Sequence, residues 1–540
     1  MAVRKSTAVH WRSLTDSSAR RLYFGDDNYS IGFLLSCLLI APVSSSFTKP
    51  VFPSKATWLL IVAGLVIHAG FAGLLTLSVD EAHYALYAQH LDLSYFDHPP
   101  MVGWIQWPLL SLGAPEWVLR IIPQVLWLVG TLLAWKLAEN LQQMVSAWRQ
   151  TNRPDQAGFW AVLMMVLGPV FHVLAVGLLP DTLLLALVPA TMLVSLSLVR
   201  DRGQGLRAWL LLGVLFGLAG LSKYTAVLFA LATAGMLCLN LGSRILLTPG
   251  PWIAVAIAAI MVSPVFYWNA MHDWISFKYQ ISHSSGGTWH ARRLLAFIGL
   301  QIVAFGPLMV VTVWQTIRFL QSRQDKLVWG LWLFFLIPFA VTFYMSGGGR
   351  TLPHWMAPAW LAAIAVGANP VAQCWNLGKV RLLRGLSWLQ GTLCTLAFAV
   401  LFFVGLPFLP QDHELSKKNP LADLWGWDYG SLMAKDLARQ YGIDTLTVGN
   451  WTLASRLAWY AKPLPVIVLD DRFDQFDLWF GSLRPGQDAI FVNWSQAPYN
   501  PPTGEGRFKT CELAQSYDSM RLGRTVSSFQ YFICRDWQGQ

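Results

Sequence analysis

The chain has 540 residues, of which 55% are hydrophobic and only 13% charged, with 28 Trp and 30 Phe. Soluble domains carry roughly 25% charged residues, so composition excludes an ordinary soluble protein and indicates a polytopic membrane protein. The net charge of +10 does not imply nucleic acid, because Lys and Arg lie mostly in short segments between apolar runs, a pattern that reports topology.

Residues 1–56 form an N-terminal extension. Arg4, Lys5, Arg12, Arg20 and Arg21 precede a Ser-rich apolar stretch from Ile31 to Pro42. That stretch reads as a cleaved signal peptide, an additional span or a poorly ordered extension. From residue 57 the sequence predicts about eleven apolar spans of membrane-crossing length. They fall near 57–77, 117–135, 157–178, 182–199, 208–222, 224–241, 251–268, 294–316, 327–345, 354–369 and 385–408. The basic residues then alternate between sides. Lys136, Arg149, Arg153, Arg200, Arg202, Arg207, Arg244, Arg318, Arg323, Lys326, Lys379, Arg381 and Arg384 share one side, which the positive-inside rule makes cytoplasmic. Loop 78–100, Asp181, loop 269–292 and Ser346 to His354 therefore face the other side. The odd span count also puts the chain after residue 410 there.

Residues 411–540 lose the long apolar runs. A helix is predicted over Ser431–Tyr441 and another from Trp451 to Ala461, with strands at Thr445–Val448, Val466–Leu469, Ile490–Asn493 and near Ser527–Cys534. Alternating helix and strand predict a small extracytoplasmic α/β domain. No glycine-rich phosphate fingerprint follows any of its strands. Cys511 and Cys534 are the cysteine pair of this region, and an extracytoplasmic location would allow them to form a disulfide. The predicted organisation is thus an extension (1–56), a helical membrane domain (57–410) and the α/β domain (411–540).

The polar residues at span ends carry the chemistry. Asp80 and Glu81 close the first span, and Asp97 and His98 follow in the same loop beside Pro99-Pro100. Carboxylates at a hydrocarbon boundary are costly, which marks them as functional candidates; the plain alternative is a solvated boundary. Asp181 either joins the site or caps the next helix. Lys223, followed by Tyr224, interrupts an apolar run and either binds an anion or snorkels to the interface. Arg350 follows Gly347-Gly348-Gly349, a turn whose backbone and guanidinium also suit a phosphate. His354 and Trp355 read equally as site residues or interfacial anchors. Tyr84, Tyr87, Tyr95 and Trp104 fit an aromatic belt better than a sugar platform.

Sugar transfer from a lipid phosphate would use this set. The leaving phosphate needs cations, which Lys223, Arg350 and His98 would supply. The acceptor hydroxyl needs a base, for which a partly desolvated carboxylate is suited. The lipid tail needs a groove between apolar spans.

Ser78-Val79-Asp80-Glu81-Ala82-His83-Tyr84, with Tyr95-Phe96-Asp97-His98-Pro99-Pro100-Met101, resembles the first loop of GT-C glycosyltransferases. It is most similar to the bacterial branch related to protein O-mannosyltransferases and aminoarabinose (lipid A) transferases. Leu179-Pro180-Asp181 resembles the second acidic position of that branch. Gly217-Leu218-Ala219-Gly220-Leu221-Ser222-Lys223-Tyr224-Thr225 and His354-Trp355 with Ala357-Pro358-Ala359-Trp360 are similar to further segments. Gly426-Trp427-Asp428 is similar to bacterial members with comparable tails. The resemblance spans most of residues 57–370.

This resemblance implies an inverting enzyme of the inner membrane with its site on the periplasmic side. Its donor would be a polyprenyl-phosphate sugar such as an undecaprenyl-phosphate one, and its acceptor a hydroxyl of lipid A, another glycan, a lipid or a protein. Asp80 carries over as the base and Glu81 as its neighbour. Asp97, His98, Asp181, Lys223, Tyr224, Arg350 and His354 are then donor-phosphate and substrate candidates. Some relatives bind a divalent metal near the acidic residues. No cofactor is required by this sequence, and a metal stays open, with Asp80, Asp181 or His98 as its ligands. A transporter or flippase is the alternative, since broken spans with polar residues at mid-depth would fit one. A membrane scaffold with a recruiting domain is the third reading.

Overall fold

The computed structural model describes residues 51–285, 288–349, 351–402 and 419–539. Residues 1–50, including the Ile31–Pro42 stretch, and Arg350 lie outside the described residues.

Seven described helices are long and apolar enough to cross a membrane: Lys55–Leu74, Glu116–Met144, Pro180–Arg200, Tyr224–Leu241, Pro249–Met271, Lys326–Ser346 and Pro353–Asn376. Two helix pairs reach that length and apolarity only together and are bent, Gln156–Leu167 with Pro169–Val176 at 74° and Ala291–Phe305 with Leu308–Arg323 at 107°, each a broken span or a re-entrant loop. The shorter apolar helix Leu206–Ser222 and the helix Val380–Phe402 occupy the remaining predicted positions. The fold is an α-helical polytopic membrane bundle carrying a small α/β domain. The helix Pro353–Asn376 runs through its centre, with 94% of its most apolar window buried.

Both bends follow from a Gly-Pro step, Gly168-Pro169 and Gly306-Pro307. Proline removes an amide donor and clashes with the preceding turn, and Gly306 takes a left-handed φ of +89°. Broken helices in a hydrocarbon layer need their freed backbone groups satisfied by protein. Gln390, 1% exposed on the helix Val380–Phe402, does this for both breaks. Its Nε2 donates to Leu167 O at 3.1 Å and Phe305 O at 2.9 Å, and its Oε1 accepts from Leu308 N at 3.0 Å. His172 serves the first break as well, with Nε2 2.6 Å from Val166 O and Nδ1 2.7 Å from His68 Nε2.

The C-terminal domain is a five-stranded sheet in the order β2-β1-β3-β5-β4. Its strands are β1 Leu446–Val448, β2 Val466–Val468, β3 Ala489–Trp494, β4 Phe508–Arg521 and β5 Arg524–Trp537. The helix Trp451–Tyr460 makes the crossover between parallel β1 and β2, as parallel pairing requires. β1 also pairs parallel with β3, while β3–β5 and β4–β5 are antiparallel. The β4–β5 hairpin turns at Leu522-Gly523, both at positive φ (49° and 76°), the backbone of a tight two-residue turn. Cys511 and Cys534 face each other across this hairpin and form a disulfide. β4 and the helix Gln475–Phe480 are additions to the elements expected from sequence.

The sheet domain does not stand apart from the loop after the first span. One hydrophobic core contains Leu77, Ala82, Ala85 and Leu86 from that loop together with Leu437, Leu446, Leu457, Ile490 and Phe529 from the domain. The boundary expected at residue 411 lies outside the described residues, and the described segments on its two sides share one core.

Candidate functional site

The loop after the first span begins with a reciprocal helix cap. Ser78 Oγ accepts from the Glu81 amide at 3.4 Å, and Glu81 Oε2 accepts from the Ser78 amide at 3.0 Å. This capping box starts the helix Val79–Gln89 and fixes which way its carboxylates point. Positions 80, 83, 84 and 87 share one face at helical spacing.

Asp80 and Glu81 diverge completely. Glu81 takes a bidentate ion pair from Arg120, Nε to Oε1 at 2.7 Å and Nη2 to Oε2 at 2.9 Å. Arg120 also donates to the carbonyls of Ala72, Leu75 and Thr76, which lie at and just past the C-terminal end of the first span. Glu81 is thus fully engaged in holding the loop to the bundle. Asp80 has no hydrogen-bond donor among the described residues. Its carboxyl is raised to about 6. Crowding by protein strips its water first, the negative charges of Asp423, Asp97 and Glu81 add to the rise, and His83 opposes it.

Asp97 closes the far side of this cluster. It accepts a hydrogen bond from Tyr87 Oη and lies 3.8 Å from His83 Nε2. Burial raises its carboxyl, but His83, His98 and Tyr87 together hold it well below the ordinary range. Gln280 Nε2 donates to the Asp97 carbonyl at 2.6 Å, bringing the helix Ile275–Ser285 against the loop. Burial lowers His98 to about 4, with Asp97 and Asp181 opposing and Lys223 and His83 adding to the fall. His98 is therefore neutral near pH 7 and offers hydrogen bonds rather than the positive charge expected from sequence. Its Nδ1 is buried with no partner among the described residues.

A second cluster forms at the ends of later spans. Asp181 stands in the first turn of Pro180–Arg200, and Lys223 ends the helix Leu206–Ser222. Lys223 Nζ donates to both Asp181 oxygens at 2.6 and 2.7 Å, with the two residues 6% and 2% exposed. His354 Nε2 lies 3.7 Å from Asp181 Oδ2, and Lys223 Nζ lies 5.6 Å from the centre of the Trp355 ring. Lys223 is therefore already paired, so an incoming anion would have to share it with Asp181. Tyr224 packs on Phe277, ring centres 5.2 Å apart. Tyr84 joins the clusters: its ring lies 5.7 Å from His98, and burial first, then Asp80, Asp97 and Asp181, push its hydroxyl pKa well up. Asp80, Asp97, His98, Asp181, Lys223 and His354 are thus brought to one face of the bundle.

The donors form no preformed metal cluster. No group of three or more His, Cys, Asp or Glu side chains is placed to hold one among the described residues. Asp181 is engaged by Lys223 and Glu81 by Arg120.

Sequence reasoning missed the C-terminal domain's share of this region. Ser455 Oγ lies 3.1 Å from His83 Nδ1, and because its own proton goes to Trp451 O, it accepts from His83. Gln475 Oε1 accepts from the Phe96 amide at 2.8 Å. Tyr460 Oη accepts from the Leu77 amide and donates to Glu116, both at 2.7 Å. Trp479 packs on His83, Tyr87 and His90. Nothing local to Ser455, Tyr460, Gln475 or Trp479 marks these contacts, because their partners lie far away along the chain.

A family model described as dolichyl-phosphate-mannose-protein mannosyltransferase matches residues 97–268. That range holds Asp97, His98, Asp181, Lys223 and Tyr224, and it begins after Asp80 and ends before His354. The chain is 27% identical over 385 residues to the lipid A galacturonosyltransferase RgtD of Rhizobium johnstonii, covering 70% of this chain and 76% of that one. The crystal structure of ArnT from Cupriavidus metallidurans in the apo state matches with a TM-score of 0.55 at 15% identity, covering 88% of this chain and 98% of that one. The form of the same protein bound to undecaprenyl phosphate matches with a TM-score of 0.54 at 14% identity, with the same coverage. At such identity these two likenesses concern the fold.

Proposed function

We propose that this chain, a GT-C superfamily glycosyltransferase, moves a sugar from a polyprenyl-phosphate donor to an acceptor hydroxyl with inversion at the anomeric carbon. The observation that carries the reading is the contrast between two neighbours. Glu81 is consumed by Arg120, whereas Asp80 is crowded, unbonded and raised to about 6. A carboxylate in that state is suited to take a proton near neutral pH.

In this mechanism the acceptor O–H gives its proton to Asp80 as the oxygen attacks the anomeric carbon. The bond from that carbon to the phosphate oxygen breaks on the opposite face, and polyprenyl phosphate leaves with the bonding pair. Lys223 meets the negative charge on that phosphate, sharing its ammonium between it and Asp181. His98 and His354 add N–H donors. Such preorganised donors lower the barrier where charge develops. Tyr224 and Asp97 line the substrate, and Arg350 keeps its sequence-based place as a further donor-phosphate residue. The lipid tail lies between apolar helices, which suits a donor such as undecaprenyl phosphate.

We place the site and the C-terminal domain on the periplasmic side of the inner membrane. The basic side of the span pattern and the Cys511–Cys534 disulfide support that orientation. Lipid A is the first acceptor class to test, because the curated relative is named for transfer to it. The experiment incubates purified protein in lipid with undecaprenyl-phosphate galacturonate, aminoarabinose and mannose and with lipid A, other glycan and protein acceptors, with products read by mass spectrometry. Transfer of at least one sugar, lost in Asp80→Asn, is expected. Export of lipid-linked sugar across vesicles without any product would overturn the reading.

A further inference from the structure

The C-terminal domain reaches the first turn of the helix Val79–Gln89 with a pair of charges that the mechanism above does not use. Asp423 lies in the 3-10 turn Pro420–Asp423, whose following residue Leu424 accepts from the Thr76 amide at 3.0 Å. The carboxylate of Asp423 faces the amide of Val79, the first residue of the helix, one position before Asp80. Arg456, on the helix Trp451–Tyr460, donates to Asp423 in an ion pair. Arg456 is 2% exposed and packs against two neighbouring indoles, 3.9 Å from the Trp427 ring centre and 4.7 Å from that of Trp494. A guanidinium buried against aromatic rings is held in place and favoured as a cation. The next residue back, Ser455, holds His83.

We propose that Asp423 and Arg456 are a positioning pair for Asp80, so that the C-terminal domain completes the active site of the membrane domain. Asp423 sets a negative charge near the first turn of the helix that carries Asp80; Arg456 fixes Asp423 and balances that charge. The function of Asp80 as base rests on the reading given above, but its electrostatic coupling to this pair does not. The other groups facing Asp80 are Glu81, His83 and Tyr84 from its own helix and Asp97 from the following loop. All of them stay in place in the variants chosen.

The test follows the Asp80 carboxyl directly, by infrared difference spectroscopy of the full chain in lipid across a pH series. The band is assigned by its loss in Asp80→Asn. Asp423→Asn keeps the shape but removes a negative charge, so the Asp80 midpoint should fall by roughly half a pH unit or more. Arg456→Met removes the balancing cation, so the midpoint should rise by a similar amount. The double variant should return close to wild type. A scaffold role alone would move neither midpoint, or both in one direction. If Arg456→Met does not fold, Asp423→Asn and the double variant decide the matter. An Asp80 midpoint unchanged in Asp423→Asn overturns the proposal, even where sugar transfer by the wild type is established. A shifted midpoint supports it, even where no donor has been found.

Discussion

Arg120 grips Glu81 with two hydrogen bonds of 2.7 and 2.9 Å while reaching three backbone carbonyls at the end of the first span. One guanidinium thus ties the end of a membrane helix to the start of the loop that bears Asp80. Removing one partner of a buried pair leaves an uncompensated charge, at a cost of about 3–5 kcal/mol. Arg120→Ala should lose that much stability, read as a fall in the thermal unfolding midpoint in detergent. Arg120→Lys should recover only part, because Lys cannot reproduce the forked geometry. An unfolding midpoint unchanged in Arg120→Ala would show that the clamp is not structural.

The neighbouring carboxylate should behave in the opposite way. Asp80 is raised above its ordinary value of 3.8 to about 6. Its ionised form therefore costs stability, and that cost is absent below the unfolded value and fully present once the pH passes about 6. Asp80→Asn should abolish transfer yet leave the protein equally stable, or more so by about 1 kcal/mol, at pH 7 to 8. The transfer rate of the wild type should rise through a limb near pH 6 as the base loses its proton. Full activity in Asp80→Asn would remove the proposed base.

The sequence shows why these two neighbours can be told apart only in three dimensions. Apolar runs and their Pro, Gly and charged breaks place the helices, because hydrocarbon leaves little choice of backbone structure. Asp181 and Lys223 stand out for the same reason, as charges where apolar residues are expected. Arg120 and Arg456 do not stand out, since their roles come from partners 39 and 33 positions away. β4 stayed hidden because most of its side chains are exposed at the sheet edge, so no apolar alternation marks it. The convergence of Asp97 with Asp181 and Lys223 is a property of the bundle, and Arg350 stays a reading of the sequence.

Asp181 and Lys223 give a test that separates stability from chemistry. Lys223→Met leaves the Asp181 carboxylate buried and unpaired, so a loss of about 3–5 kcal/mol is expected. The double variant Asp181→Asn with Lys223→Met removes both charges and should recover most of that loss. It should not recover transfer, because the cation meant for the leaving phosphate is still missing. Binding of undecaprenyl phosphate, measured by titration, should weaken in the double variant by about tenfold or more, the equivalent of about 1.4 kcal/mol. Unchanged affinity in a well-folded double variant would reject the anion role of Lys223.

Gln390 offers a last measurement, remote from the site but bearing on its shape. Its amide satisfies Leu167 O, Phe305 O and Leu308 N, groups freed by two separate breaks. Gln390→Leu would fit a similar volume but leave all three groups in an apolar interior. Each orphaned group costs about 1–3 kcal/mol, partly offset where neighbouring backbone can shift. A net loss of about 3 kcal/mol or more is expected, against about 1 for Gln390→Glu if the new carboxyl stays protonated and keeps some of the contacts. The two bent helix pairs also carry the chain toward Asp181 and into the helix before His354. Gln390→Leu should therefore lower the rate of transfer more than it lowers donor affinity. A variant with wild-type stability would mean that the bends hold themselves without this side chain.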